Sequence, residues 1–412
     1  MALVDVRQLV AGMLTFSMFI MLENMIRKDH FGTAIVDDVN SASAVSNIDT
    51  QKNWGEDLIP YIGPWRVNNE TVKPCWIKPA QESWNQQKGY ILFSLTGGPH
   101  LHLLQVANAV VIARQLKATL VLPVIVGNKS EKKWKFGDVY DVRHFIASLN
   151  GIVEITYHQP AELSAEKLPI VRVPNLVSED YVTAQIEPLF KSKRNLKLVT
   201  YFRDLNNTTI EGKKHKNSIS CMVVFEALQL QAGLHELVNS VLEKLISLSK
   251  ASHGRFIAVD LRTEMKGAEI CQVTAADGKK SCFSAMEVGK FLNKIGFERN
   301  TTIYLTEDGL HKSQHELINI FLSTFTKDVL IPSDKMAKFS DYSDVIDYHI
   351  CSHSDVFVPA FSRPFYASVV GVRIALGKTQ ILDPSQATSS NVRDYISSYV
   401  TRKNHWAYSC FC

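Results

Sequence analysis

This chain predicts an α/β architecture: two Rossmann-like halves facing a cleft, preceded by an N-terminal membrane anchor and stem. Short apolar runs rich in strand formers alternate with amphipathic stretches of helical spacing, the rhythm of parallel strands covered by helices. That rhythm runs once from Tyr90 to Phe202 and again from Phe256 to Leu376, on either side of a leucine-rich segment. No period of 20 to 50 residues repeats, which excludes a solenoid. The length of 412 residues suits two domains, and 46% hydrophobic with 21% charged residues is a globular composition. A formal net charge of +4 without a long basic run argues against nucleic acid as a partner.

Residues 1–29 read as a cytosolic tip and signal-anchor helix. Leu9 to Leu22 is almost wholly apolar and reaches Ile26 if Glu23 and Asn24 are accepted, close to the roughly 20 residues that span a bilayer. Arg7 precedes the run and Arg27-Lys28 follow it, so flanking charge leaves the orientation open. No clear small-residue cleavage site follows, which favours an uncleaved anchor. Sequons at Asn69, Asn128, Asn206, Asn207 and Asn300 are expected glycosylation sites, and with seven cysteines they place the bulk of the chain in an oxidising lumen. The expectation is a single-pass type II protein, with Cys271 and Cys282 near enough in sequence to close a short loop. Residues 30–85 lack sustained periodicity and form a stem. Trp54, Trp65, Trp76 and Trp84 predict that its later half packs on the first domain.

The first domain, 86–222, opens with a strand at Tyr90–Leu95, a turn through Gly97 and Gly98, a helix from His100 to Leu116 and a strand at Thr119–Pro123, one turn of a βαβ unit. The two glycines permit a tight turn and let a ligand approach the backbone at a helix N-terminus. They do not make a GxGxxG pattern and no acidic residue follows about 20 positions on, so a dinucleotide-dependent oxidoreductase is not expected. Further strands are expected at 151–157 and 198–202, with a polar region between them that the pattern does not assign. Val223 to Ser249 reads as one bridging helix, residues 223–250.

The second domain, 251–400, is cleaner, and a tail of 401–412 follows it. Strands are expected at 256–259, 301–306, 329–332 and 355–359, and helices at 284–295, 314–324, 343–352 and 364–376. The first of these strands runs into Asp260-Leu261-Arg262. Ligands of open α/β sheets collect outside the carboxyl ends of strands, so Arg262 is a candidate phosphate clamp, its planar fork able to hold two oxygens. A surface ion pair with Asp260 or Glu264 is the competing reading.

Three segments resemble one family, plant GDP-fucose O-fucosyltransferase-like proteins: Gly97-Gly-Pro with Val110 to Pro123, Phe256 to Arg262, and His353 to Pro359 with the helix after it. The resemblance runs from about Ile91 to Leu382. Within the family it is greatest to the mannan synthesis-related group, through the Arg-Lys-Asp-His that follows the anchor and the terminal Asn404 to Cys412. It implies a GT-B fold, a Golgi location, a GDP-linked sugar donor in place of any cofactor, a glycan acceptor and a part in mannan-type wall polysaccharide synthesis. His100 and Leu103 stand where the family usually has asparagine and arginine.

Sugar transfer from a nucleoside diphosphate develops negative charge on the leaving group. No Asp-x-Asp metal pattern occurs, so side chains and helix N-termini are expected to carry that charge without a metal, in an inverting reaction. Arg262 is the leading group. Asp355, after Ser354, either accepts the two donors of guanine or caps a strand. Ser362 either binds phosphate or caps the last helix. For the base on the acceptor hydroxyl, Asp260, Glu264, His100 and His102 all qualify, the carboxylates standing first. A second function reading is a protein of this fold that has lost transfer and serves as assembly partner of a polysaccharide synthase.

Overall fold

The computed structural model describes residues 64–65, 72–79, 88–127, 132–164, 168–202, 218–261, 280, 282–306, 311–361, 363–385 and 391–412. The expected anchor at 1–29 and most of the stem lie outside these residues. So do Trp54, Trp84, Cys271, Arg262, Glu264, Ser362 and the sequons at Asn69, Asn128, Asn206 and Asn207. Among the described residues no helix is long and apolar enough to cross a membrane. Asn300 is described and exposed.

The first sheet is built on β1 (Tyr90–Leu95). It pairs in parallel with β2 (Thr119–Val121) on one side, and β2 with β5 (Ile155–Thr156) beyond it. On its other side lies β7 (Leu196–Tyr201), then β6 (Ile170–Pro174), also parallel. Pro123 cannot donate to a ladder, and the strand expected at 119–123 is interrupted there. It resumes as β3 (Val124–Val126), which pairs with the end of β1 and then antiparallel with β4 (Lys133–Lys135). The polar region left unassigned supplies β6 and a helical stretch from Glu179 to Lys193.

The second sheet is wholly parallel, in the order β10 (Thr324–Phe325), β9 (Ile303–Thr306), β8 (Ile257–Asp260), β11 (Val356–Pro359). Alternation along β8 sends Ile257 and Val259 to one face, where Val288 and Leu292 of α3 (Ala285–Lys294) join them, and Phe256 and Ala258 to the other. Other expected elements move as well, and the helix expected at 314–324 runs instead over His311–Ile318. Val329–Pro332 is not a strand: Lys327–Leu330 forms a helical turn with Val329 exposed and Leu330 and Ile331 buried, and the edge strand is Thr324–Phe325. The bridging helix is broken as well. A helical segment ends at Ala227, Leu228 is extended, Leu230 pairs with Tyr140, and a new helix, Ala232–Leu248, begins under a cap in which the Gln231 side chain accepts from Gly233 N–H at 2.9 Å.

One hydrophobic core runs through both halves. It takes Phe93 and Leu95 from the first sheet, Ala258 and Phe357 from the second, and between them α1 (Pro99–Leu116), Ala232–Leu248 (α2), α4 (Ser343–His353) and α5 (Pro364–Ala375). Most of α1 is buried, as expected of a helix packed on several sides. The tail returns across this layer and is tied by Cys75–Cys412 and Cys221–Cys410. Cys282 is disulfide-bonded too. Trp76 follows the stem expectation only in part. It packs on Phe225 and Phe411 and donates to Glu226 at 3.1 Å. Trp65 departs from it and packs on the second half, edge-on to Phe297 and under the Arg255 guanidinium, because that apolar edge is where the chain passes.

Candidate functional site

Each half ends a strand in a turn that starts a helix with proline at its first position. In the first half β1 leads through Thr96, Gly97 and Gly98 into α1. Both glycines have positive φ, 79° and 85°, a region that costs other residues strain. The N–H groups of Leu101 and His102 close on Gly98 O at 3.1 and 3.2 Å. In the second half β11 leads through Ala360 and Phe361 into α5, whose cap is Arg363. The Arg363 guanidinium lies 4.4 Å from the Phe361 ring centroid. The two helix starts meet, with the His100 ring edge-on to Phe365 and centroids 5.5 Å apart. Two positive helix ends, each following the carboxyl end of a strand with parallel neighbours, make a place for an anion.

The mouth of the second sheet is held by a polar clamp. Thr306 Oγ1 donates to Asp260 Oδ1 at 2.6 Å and accepts from Leu261 N–H at 3.2 Å, while Ala360 N–H donates to Asp260 O at 3.0 Å. Asp260 is 3% exposed. That geometry fixes the direction in which the chain leaves β8, so Asp260 holds the strand exit rather than opening its carboxylate to the cleft. The next residue but one is Arg262.

The two histidines separate. At 3.6 residues per turn, positions two apart point about 200° from each other, and only His100 faces the gap between α1 and α5. The sequence expectation for His102 is corrected: it is 3% exposed, its Nδ1 pairs with the Tyr140 hydroxyl at 2.8 Å, and burial with His100 nearby lowers its pKa to about 3.

Ser354 and Asp355 are also corrected. They sit at the amino end of β11, the opposite edge from Asp260, since Pro359 is the residue that pairs with Asp260. Ser354 is fully buried, donates to Cys351 O at 3.0 Å and accepts from the Arg373 guanidinium at 2.9 Å. One oxygen of Asp355 accepts from Phe256 N–H at 3.0 Å and the other faces Lys378 Nζ at 3.4 Å. Arg373, buried in α5, also donates to Ser354 O, Asp355 O and Gln380 O, so this serine and aspartate belong to a structural polar knot.

Three side chains absent from the sequence reading matter here. Gln105 holds the glycine turn, accepting from Thr96 N–H at 3.0 Å and donating to Thr96 O and Oγ1. Asn108, one turn on, donates to Pro174 O at 2.8 Å and accepts from Val177 N–H at 3.1 Å. Polar residues inside an apolar helical stretch were the available signal. Asp344, half-buried in the first turn of α4, brings Oδ2 to 3.9 Å from where a Cβ on Gly98 would stand, and His100 comes within 3.3 Å of the same point. Nothing local marks Asp344, because α4 reaches the mouth only through packing. Among the described residues no three His, Cys, Asp or Glu side chains could share a metal ion.

A family model described as GDP-fucose protein O-fucosyltransferase matches residues 90–376. The chain is 42% identical over 422 residues to Protein MANNAN SYNTHESIS-RELATED 2 of Arabidopsis thaliana, covering 99% of this chain and 100% of that protein. It is 40% identical over 417 residues to Protein MANNAN SYNTHESIS-RELATED of Trigonella foenum-graecum, covering 99% of each. Among solved structures, NodZ alpha-1,6-fucosyltransferase soaked with GDP-fucose superposes with a TM-score of 0.42 and 13% identity, covering 72% of this chain and 95% of that one.

Proposed function

This chain belongs to the O-fucosyltransferase family and is a glycosyltransferase of it, and we propose that it transfers a sugar from a GDP-linked donor to a mannan-type wall polysaccharide in the Golgi lumen. The observation that carries the proposal is the meeting of two helix N-termini, α1 and α5, at the carboxyl edges of the two sheets, with His100 against Phe365. A diphosphate placed there meets the positive ends of both helices. The family's description names a GDP-linked donor, and the names of the relatives tie them to mannan synthesis.

In this reading the donor lies at the mouth of the second sheet. The Thr306–Asp260 clamp sets the exit of β8, and Arg262, next but one along the chain, neutralises the departing diphosphate together with the α5 N-terminus. No metal is needed in this arrangement. The acceptor approaches from the side of α1. Asp344, at the glycine turn, is our candidate for the base that takes the acceptor hydroxyl's proton in an inverting transfer. Asp260, held by Thr306, keeps a positioning part. Type II anchoring through residues 9–26 and glycosylation of a lumenal body complete the proposal.

The test is transfer by the full-length protein from GDP-fucose or GDP-mannose to manno-oligosaccharides, with donor binding followed separately by calorimetry. Arg262→Ala is expected to lose both donor affinity and transfer. Asp344→Asn is expected to keep GDP affinity and lower kcat about 100-fold or more, in line with general-base catalysis. No GDP binding by the wild-type protein would sink the donor assignment. GDP binding with no transfer to any acceptor would instead favour the assembly-factor reading.

A further inference from the structure

Behind His100, between α1 and α5, a pocket opens over the carboxyl ends of β6 and β7, and the returning tail forms its outer wall. Its floor is the turn Asn175-Leu176. Leu176 has φ 56°, in the left-handed region that branched L-residues avoid. Such strain persists only where the surroundings over-determine it, and here the buried Asn108 amide does so. It bonds the carbonyl of Pro174 on one side of the turn and the N–H of Val177 on the other. A buried amide thus holds a strained turn in the shape that lines the pocket.

The outer wall is built with comparable specificity. Trp406 stacks on Phe225 at 5.4 Å with the planes 29° apart, tilts over His405 at 5.7 Å, and His405 meets Tyr399 edge-on at 5.5 Å. This row of rings is held close to α5 by a missing side chain, because a Cβ on Gly371 would come within 2.9 Å of His405. Cys221–Cys410 pins the tail four residues after Trp406. Trp406, Phe225, Tyr399 and Phe202 are only part-buried, and the amides of Asn175 and of the exposed Asn404 stand at the rim.

We infer that this pocket is a saccharide subsite, which receives a hexopyranose unit of the acceptor chain with one apolar ring face against the tail's aromatic row and its hydroxyls toward Asn175 and Asn404. Part-exposed rings beside amides match a pyranose, which presents apolar C–H faces and a belt of hydroxyls. The pocket is small and partly open, with about 50 Å³ of inner space. Since one water needs ~10–15 Å³ on such a scale, that is room for the edge of one sugar ring, the rest of which would lie in the open mouth. Position favours the acceptor, because His100 and Pro364 line the pocket and also belong to the two helix starts where the donor diphosphate is placed. The inference rests on the proposed transferase reading and names its acceptor side.

The test is calorimetric titration of the full-length protein with mannohexaose, in the presence of GDP, beside a GDP titration of each variant. Saturable mannohexaose binding is expected. Trp406→Leu should weaken it at least tenfold, and Asn404→Ala, an exposed change that leaves packing alone, should weaken it several-fold, both with GDP affinity unchanged. GDP binding serves as the check that each variant is folded. Wild-type protein that binds GDP but not mannohexaose overturns the subsite and leaves the donor reading standing. Mannohexaose binding that neither substitution alters overturns it too. Mannohexaose binding without GDP binding keeps the subsite and removes the donor reading instead.

Discussion

His100 and His102 show how much a two-residue step decides. Both were legible as histidines at a glycine turn, yet one lines the gap between the helices and the other is sealed against Tyr140. Helical geometry settles which of two such neighbours can face a ligand only once the buried side is known. Gly98 can be judged more directly. Its φ of 85° and ψ of 173° form a conformation open to glycine alone, and an added Cβ would stand 3.3 Å from the His100 ring. Gly98→Ala is therefore expected to cost about 1–3 kcal/mol of stability from backbone strain and to displace the start of α1. Urea unfolding should show the first effect and weaker GDP binding the second. A variant with wild-type midpoint and affinity would mean that the turn is not under the constraint described.

At the scale of elements, the strands that begin or end at charged or glycine-marked positions were readable, and those defined by their neighbours were not. β1, β8, β9 and β11 fall within about two residues of the expected positions. Val329-Leu330-Ile331 carries the same apolar signature but lies at the sheet's edge, where a helical turn buries Leu330 and Ile331 while Val329 stays in solvent. The leucine-rich segment at 223–249 has helical spacing throughout, yet pairing of Leu230 with Tyr140 interrupts it. The tail has a role its sequence alone did not announce. Cys221–Cys410 closes a separation of 189 residues, and removing a native disulfide costs about 2–5 kcal/mol. The double variant Cys221→Ala with Cys410→Ala should lower the free energy of unfolding by that amount, read as a lower urea midpoint at unchanged slope. It should also weaken mannohexaose binding more than GDP binding, because it loosens the pocket wall and leaves both sheets in place. Equal loss of both ligands would show the bridge to be a general staple only.

For the whole molecule, acid should be the informative stress. His102 and His405 are buried neutral, their pKa values lowered to about 3 and about 4 by desolvation. Unfolded histidine titrates near 6.5, so the unfolded chain binds protons that the folded one refuses. Stability from this source is complete above pH 6.5 and falls as pH drops toward the folded values, by up to about 1.4 kcal/mol per pH unit for each histidine. Between pH 6.5 and 5, above the usual carboxylate range, the unfolding midpoint should decline measurably, and His102→Gln should flatten the slope. A midpoint unchanged across that interval would contradict the burial described.

The sequence by itself determined the α/β class, the two-fold strand–helix rhythm and the glycine turn, because periodicity and backbone permissiveness are local properties that each residue carries with it. The same is true of the motifs that resemble the O-fucosyltransferase family, which are contiguous in the chain. Only the tertiary structure decided that Asp260 is clamped by Thr306, that Ser354 and Asp355 lie at the far edge of the sheet from it, and that Asp344 and the tail's aromatic row reach the mouth. Those assignments depend on which distant segments pack together and at which end of a strand a residue falls, and spacing along the chain encodes neither.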